Sequence, residues 1–290
     1  MLWIALALAT AFFNASAATI AKRGLSDLRS WEMGMIPTAY AGFFCLLLLP
    51  FIRIPELDAA FWWAWGLTLP LMVVALYFQY SAIQRSPLSL TMPYLSFTPA
   101  IVILTGFLIL EEVLNWWGIL GVLSIAVGGY VLNVELGSGR GLADPVKAVF
   151  REPGSWRMLV TATIFSLTGV FGRMGVLHSS PMFFGLTVLP ALGLLFVVSG
   201  VATRQARLSS MWQKPRAAAM AGLCVGLEII CHHFAIGLVK AAYMLAVKRL
   251  NTLISVIYGG LVFKEKNIAV RLTGTLLMFL GVAMIGLLGE

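Results

Sequence analysis

The chain is divided into apolar runs of about 20 residues, each long enough to cross a lipid bilayer as a helix. Hydrophobic residues make up 60% of the 290 residues and charged residues only 11%, which is more apolar surface than a soluble domain of this size can bury. The pattern predicts an all-α integral membrane protein with ten transmembrane helices. No positive residue precedes the first run, so we interpret it as a helix and not as a signal peptide. The runs are residues 1–21, 33–52, 60–83, 87–110, 115–134, 156–177, 181–202, 217–239, 241–263 and 268–288.

The two halves of the chain are related to each other. One constant shift in numbering places 81–133 on 234–286 without a gap and aligns Glu112 with Glu265. Both glutamates are expected to begin a helix, where a carboxylate interacts favourably with the helix dipole. Each half holds five runs, an odd number, so the sequence predicts two inverted five-helix repeats, as in alternating-access transporters. The predicted units are a first repeat at 1–134, a cytoplasmic linker at 135–155 and a second repeat at 156–290.

The basic residues indicate how the helices are oriented. With ten spans, 15 of the 20 basic residues fall in odd-numbered loops or in the first four residues of the span that follows such a loop, whereas only Arg53 and Lys240 fall in even-numbered loops. Loops rich in Lys and Arg stay in the cytoplasm. We therefore expect both termini outside, on the periplasmic side of a bacterial inner membrane. The formal charge of +8 follows from this loop bias, so nucleic acid is not an expected partner.

Two adjacent cations, Lys248 and Arg249, lie inside the ninth apolar run. A charge in the hydrocarbon core is costly unless it meets water, an anion or an internal partner. If the run is one helix, Lys248, Asn251, Thr252 and Ser255 share a face that is expected to line a water-filled cavity and to bind substrate. An ammonium and a guanidinium together suit carboxylate or phosphate oxygens. The alternative is that one or both cations only form internal ion pairs.

Glu228 and His232 lie four residues apart in the eighth run and can share one helix face. Glu228 is the only acid well inside a predicted span, so it is the natural charge partner of Lys248 or Arg249. Together, Glu228 and His232 are suited to carry protons in coupled transport, or they form a structural counter-ion and a hydrogen-bonded histidine. No histidine or cysteine has metal-ligand spacing, and we expect no metal and no cofactor.

Further polar residues are candidates for the same site. Gln79 aligns with His232 in the repeat and Tyr80 with the next histidine, and matching positions of inverted repeats often line one cavity. The alternative for Tyr80 is an interfacial anchor. Asn14 is polar within the first run, where a cavity role competes with interhelical hydrogen bonding. Arg173, near the outer end of the sixth run, is a candidate gate residue, with snorkelling to the headgroups as the alternative.

Two segments, 81–132 and 241–286, resemble the repeats of EamA-type members of the drug/metabolite transporter superfamily. Each has a small-residue helix, a Pro- or Ser-rich middle, a closing Glu and a Gly-spaced helix. The resemblance implies ten helices, two EamA repeats and transport of small metabolites through a central cavity lined mainly by helices 1, 3, 4, 6, 8 and 9. The adjacent Lys248 and Arg249 depart from the common EamA pattern. They look more like the sugar-phosphate translocator branch, where such a pair meets the substrate phosphate.

The charges within the spans favour an anionic substrate. Arg173, Lys248 and Arg249 face one acid, Glu228, a balance that suits an organic acid, a phosphorylated metabolite or an amphoteric amino acid. Coupling to protons or a counter-substrate, and assembly into a homodimer, are left open. The runner-up is export of hydrophobic amino acids or cationic drugs, and an alternative of another class is a lipid-linked phosphate flippase. No nucleophile and base are placed as an enzyme would need them.

Overall fold

The computed structural model describes residues 2–86, 92–133, 153–263 and 272–289. Within these ranges every regular element is a helix. Six of the helices are long and apolar enough to cross a membrane, and three further apolar stretches are shorter. Most of the predicted linker lies outside the described residues, and its last three residues already belong to a helix. The helices are α1 (Leu2–Leu25), α2 (Ser30–Leu48), α3 (Ala59–Arg85), α4 (Thr98–Leu110), α5 (Trp116–Asn133), α6 (Pro153–Leu177), α7 (Pro181–Ala202), α8 (Pro215–Leu238), α9 (Ala241–Lys248), α10 (Asn251–Phe263) and α11 (Leu272–Leu288).

Polar residues between the apolar runs act as helix caps. The side chain of Asp58 accepts a hydrogen bond from the backbone N–H of Phe61 at 2.9 Å and so caps α3. Ser180 caps α7 in the same way, through the N–H of Phe183 at 3.1 Å, and Pro181 follows at the first helical position. The starts of α3 and α7 are therefore stabilised by hydrogen bonds between residues that are close in the sequence.

The ninth apolar segment is two helices and not one. α9 ends at Lys248, Arg249 and Leu250 form a turn, and α10 begins at Asn251. The prediction of one continuous helix over 241–263 is therefore wrong. The single polar face that this helix would carry is lost with it, because residues before and after the turn no longer follow one helical period.

The fourth apolar segment is interrupted at the matching point. A 3₁₀ helix, Met92–Phe97, passes directly into α4 at Thr98. The shift that relates the two halves in sequence places the first residue of α4 on the first residue of α10, and the last on the last. Interruptions at corresponding points of two halves are typical of membrane proteins that bind a ligand at the break.

The packing of the helices is symmetric between the halves. α1 packs along α8 and α3 along α6, while α2 packs against α7 and α5 against α11. Exchanging each helix for its counterpart in the other half leaves this set of pairs unchanged. One shift in numbering places the first residue of α1 on the first residue of α6, and the first residue of α2 on that of α7. The shift that relates α4 to α10 also places the last residue of α3 on the last residue of α8. The arrangement is compatible with two repeats related by a pseudo-twofold axis.

Glycines allow α5 and α11 to approach closely. A Cβ atom added at Gly281 would lie 2.5 Å from the carbonyl oxygen of Gly121, and one added at Gly128 would lie 2.7 Å from that of Gly274. Both distances are shorter than any Cβ contact allows, so these positions need glycine for steric reasons. Small residues at such crossings are the usual way in which membrane helices pack.

Candidate functional site

A central cavity lies between the two halves. Its walls come from α1, α2, α3, α6, α7, α8 and α9, with Leu95 from the 3₁₀ helix. The centre of a water molecule can occupy a volume of about 140 Å³ within this cavity, so the cavity has room for a small metabolite. The family resemblance implied a cavity lined mainly by helices 1, 3, 4, 6, 8 and 9. In the structure, α2 and α7 also line the cavity. Seven of the predicted site residues lie in its walls: Asn14, Gln79, Tyr80, Glu228, His232, Lys248 and Arg249.

Three predicted substrate-binding residues lie outside the cavity walls. Asn251 is buried at the start of α10, where its side-chain amide donates to Oδ1 of Asn14 at 2.6 Å. Thr252 is buried beside it and donates to Oδ1 of Asn251 at 3.4 Å. Ser255 follows one turn later and is half-buried. The turn at Arg249 explains this placement, because it separates these three residues from the face that carries Lys248.

Lys248 is the last residue of α9 and forms an ion pair with α8. Its Nζ lies 2.7 Å from Oε1 of Glu228, and both side chains are largely buried, with 14% and 9% of their surfaces exposed. The same Nζ lies 3.5 Å from Nδ1 of His232. An ammonium group only donates hydrogen bonds, so Nδ1 of His232 is the acceptor and carries no proton in this arrangement. The structure thus brings Glu228, His232 and Lys248 together; the sequence placed Glu228 and His232 on one helix face and named Glu228 as the charge partner of Lys248 or Arg249.

Arg249 lies in the turn between α9 and α10 and is only 3% exposed. Within the described part of the chain, no hydrogen bond or ion pair engages its guanidinium group, and its Nε atom is fully buried without a partner. A buried cation in this situation carries a desolvation cost of several kcal/mol. The cavity wall therefore presents a guanidinium group whose hydrogen-bonding capacity is unused.

Several polar cavity residues were not among the predicted site residues. His233 lines the cavity, packs against Phe184 at 5.2 Å between ring centroids and donates from Nδ1 to the carbonyl of Ile229 at 2.8 Å. Thr68 also lies in the wall, and its hydroxyl has no partner among the described residues. A lone threonine in an apolar helix usually bonds its own backbone, so the sequence contains no signal that distinguishes Thr68.

Arg173 lies in a charged cluster away from the cavity walls. Its guanidinium forms an ion pair with Glu112 and donates to the carbonyls of Ile236 and Val239 at the end of α8. The second carboxylate oxygen of Glu112 accepts from the N–H of Ala241 at 3.0 Å. The cluster therefore ties α6, α8 and α9 of the second half to the segment that follows α4 of the first half.

The structure corrects the expected role of Glu112. It does not begin the fifth helix, since α5 starts at Trp116 and Asn115 caps it by accepting from the N–H of Gly118 at 2.7 Å. The Glu112 carboxylate instead lies at the N-terminus of α9, where it satisfies the first free N–H of a different helix.

Two ion pairs join the halves at loop residues. Asp27 in the α1–α2 loop pairs with Lys214 at the start of α8, at 2.6 Å. Oδ2 of Asp58 at the start of α3 also lies 2.6 Å from Nδ1 of His178 in the α6–α7 loop, a contact that is an ion pair when His178 is protonated. The hydrogen bond from Lys214 lowers the pKa of Asp27, and the backbone N–H of Phe61, followed by His178, lowers the pKa of Asp58. Both carboxylates are therefore charged at neutral pH.

A metal centre has no support in the described residues, where no three His, Cys, Asp or Glu side chains are close enough together to hold an ion. The polar groups of the cavity are one ion pair, one unpaired guanidinium, two imidazoles and a few amides and hydroxyls. These groups can bind a charged organic molecule without a cofactor.

Comparisons with known proteins show what the first half of the chain and the fold are similar to. Residues 1–134 match the EamA-like transporter family. A solved crystal structure of a protein matches over 97% of both chains with a TM-score of 0.70 at 15% identity, a likeness of fold alone. Among curated proteins, none matches the sequence. The match to this transporter family over residues 1–134 and the apolar helices together support a multi-pass membrane protein whose first half is similar to EamA-like transporters.

Proposed function

We propose that the chain is a secondary transporter that binds a small organic anion at Lys248 and Arg249 and carries it by alternating access. The observation that carries this proposal is the guanidinium of Arg249, which is buried in the cavity wall and has no partner within the described residues. An anion in the cavity would supply the missing hydrogen bonds and the missing charge. Glu228 serves in this proposal as the counter-ion that keeps Lys248 neutralised.

The same observation favours exchange of one anion for another. When the anion leaves, Arg249 again lies in the cavity wall without a partner, so the empty carrier is the less favourable state. A carrier whose empty state is unfavourable returns more readily when a second anion occupies the site. Counter-substrate coupling therefore fits the charge arrangement, and a proton route through His232 is not needed for it.

Alternating access has support from the fold. α4 and α10 both begin at interruptions that correspond under the repeat shift, and the helix pairs are unchanged when the halves are exchanged. In inverted-repeat transporters, one repeat rocks against the other around a site of this kind. We propose ten spans in two inverted repeats, with both termini outside a bacterial inner membrane because basic residues concentrate in odd-numbered loops. Arg173 and Glu112 would hold the two halves together at the outer side.

The runner-up substrate, a hydrophobic amino acid or cationic drug, has less support. A cation site needs an acidic group that is free to meet the substrate. Glu228 is the acid in the cavity wall, and it lies 2.7 Å from the Nζ of Lys248. Binding a cation there would first have to break this ion pair and leave Lys248 unneutralised beside Arg249.

The test is anion exchange in proteoliposomes preloaded with a mixture of organic anions. We expect Arg249→Gln and Lys248→Gln to reduce exchange at least about 100-fold, since losing a buried charge contact costs about 3–5 kcal/mol. Arg216→Gln is the matched control, because it removes one positive charge from an exposed position, and it should keep wild-type exchange. Exchange that survives both cavity variants, or uptake of organic cations by the wild type, would refute the proposal.

A further inference from the structure

We infer that the bound anion carries one negative charge on a carboxylate and has an apolar body. The inference rests on the proposed function and names the substrate class of the same site. It separates monocarboxylates from the other anions that a Lys-Arg pair could accept: phosphate monoesters, dicarboxylates and sugar acids.

The charge of the cavity wall decides the charge of the ligand. Among the described lining residues, Lys248 and Glu228 neutralise each other at 2.7 Å, and Arg249 is left with one positive charge. His232 accepts from Lys248 and is neutral in this arrangement. His233 donates one ring N–H to the carbonyl of Ile229, a bond that a neutral imidazole provides. One negative charge balances this wall, whereas a dianion would leave a buried negative charge without a partner.

The Arg249 side chain suits the anionic group that the charge balance favours. A guanidinium is a planar fork whose parallel N–H groups match two oxygens of a carboxylate or a phosphate, and the single positive charge of the wall favours the carboxylate. Within the described residues the Arg249 guanidinium makes no hydrogen bond, so the side chain that lines the cavity has unused donors. Glu228 and His232 accept from two of the three N–H groups of Lys248, so its ammonium keeps one donor for a ligand oxygen.

The rest of the wall decides the body of the ligand. Thr38 donates to the carbonyl of Gly34 at 2.8 Å, and Thr168 donates to that of Phe165 at 3.4 Å, so their hydroxyls offer no free donor. A polyhydroxylated body would need many such donors and acceptors. The apolar side chains of the wall include Met72, Leu76, Phe165, Phe184, Leu189 and Leu245. An apolar body buries its surface against these side chains, and the Thr68 hydroxyl is one of the few polar groups of the wall left without a partner.

The experiment is a set of binding titrations on the purified full-length protein, followed by thermal unfolding in detergent. The probes are 4-phenylbutyrate, gluconate, succinate and glucose 6-phosphate. They represent an apolar monocarboxylate, a hydroxylated monocarboxylate, a dicarboxylate and a phosphate monoester. We expect 4-phenylbutyrate to bind at least about tenfold more tightly than each of the other three, and Arg249→Gln to abolish its binding.

A charge variant tests the argument independently of this ranking. Glu228→Gln raises the charge of the wall from one to two, so we expect the preference for 4-phenylbutyrate over succinate to fall by about tenfold or more. Arg249→Lys keeps the charge but removes the fork, and should weaken 4-phenylbutyrate binding about tenfold without changing its preference over succinate. If Glu228→Gln does not fold, Arg249→Lys still tests the role of the Arg249 side chain.

The outcomes separate this inference from the proposed function. Tighter binding of succinate or glucose 6-phosphate that requires Arg249 would overturn the inference and leave an anion transporter. Equal binding of gluconate would overturn the apolar body. Absence of binding by all four anions, or binding that survives Arg249→Gln, would overturn both.

Discussion

Lys248 and Arg249 are neighbours in the chain but lie in different electrostatic surroundings. Lys248 ends α9 and meets Glu228, whereas Arg249 enters the turn and meets no acceptor among the described residues. The first cation is therefore mostly engaged by protein groups, whereas the second keeps its hydrogen-bond donors for a ligand. Two residues that look alike in the sequence thus have different expected effects on stability when they are replaced.

Lys248→Met and Arg249→Met should change stability in opposite directions. Lys248→Met leaves Glu228 buried without its partner, which should lower the free energy of unfolding by about 3–5 kcal/mol. Arg249→Met removes a buried charge that has no partner, which should raise it by about 1 kcal/mol or more. Thermal unfolding of the ligand-free proteins in detergent measures both. A similar loss in the two variants would mean that the folded protein itself satisfies Arg249.

At the scale of the helices, the break between α9 and α10 has no local cause in the sequence. The stretch from Ala241 to Ser255 contains neither proline nor glycine, and its residues are mostly good helix formers. The first turn of α9 is held by a residue distant in the sequence, Glu112, which accepts from the N–H of Ala241. The boundaries of this short helix therefore depend on tertiary contacts as well as on its own residues.

Glu112→Gln tests the contact that holds the start of α9. The amide can still accept from the N–H of Ala241, but Arg173 loses its ion-pair partner in a largely buried position. We expect a loss of about 3–5 kcal/mol in the free energy of unfolding, seen as a lower unfolding temperature in detergent. Glu111→Gln is the matched control, since Glu111 is exposed, and it should be neutral. Equal effects of the two substitutions would show that the Arg173 pair does not stabilise the fold.

At the scale of the whole molecule, the two loop ion pairs occupy equivalent places in the halves. Asp27 in the α1–α2 loop meets Lys214 at the start of α8. In the same way, His178 in the α6–α7 loop of the second half meets Asp58 at the start of α3 of the first half. The loops α1–α2 and α2–α3 are joined by one membrane-crossing helix, so we place the two pairs at opposite faces of the membrane. Rocking of the halves would break the pairs in turn.

Cross-links at these two places test the rocking motion. Asp27→Cys with Lys214→Cys, and Asp58→Cys with His178→Cys, put thiols at each pair in a chain whose native cysteines are replaced. A short thiol-bridging disulfide reagent should stop exchange in proteoliposomes in either double variant, and reductant should restore it, because both faces must open once per cycle. Single-cysteine variants treated in the same way control for modification alone. Full exchange with either face locked would contradict alternating access.

Local pattern predicted much of the fold, because lipid removes most alternatives. Apolar runs of this length can only be helices in a bilayer, so the helical class and most helix bounds follow from periodicity and polar punctuation such as Asp58 and Ser180. The repeat shift predicted where α4 and α10 correspond. Charged residues are rare within the spans, and this alone drew attention to Glu228 and Lys248. In the structure, Nζ of Lys248 lies 2.7 Å from Oε1 of Glu228.

What the sequence by itself determined is thus the helical membrane architecture and the short set of charged residues within it. The tertiary structure alone decided that α9 stops at Lys248, that Asn251, Thr252 and Ser255 lie outside the cavity walls, and that Glu112 serves α9. The reason is physical: helix formation in lipid depends on local composition. Which cation finds a partner, and where a helix breaks, depends on side chains brought together from opposite halves of the chain.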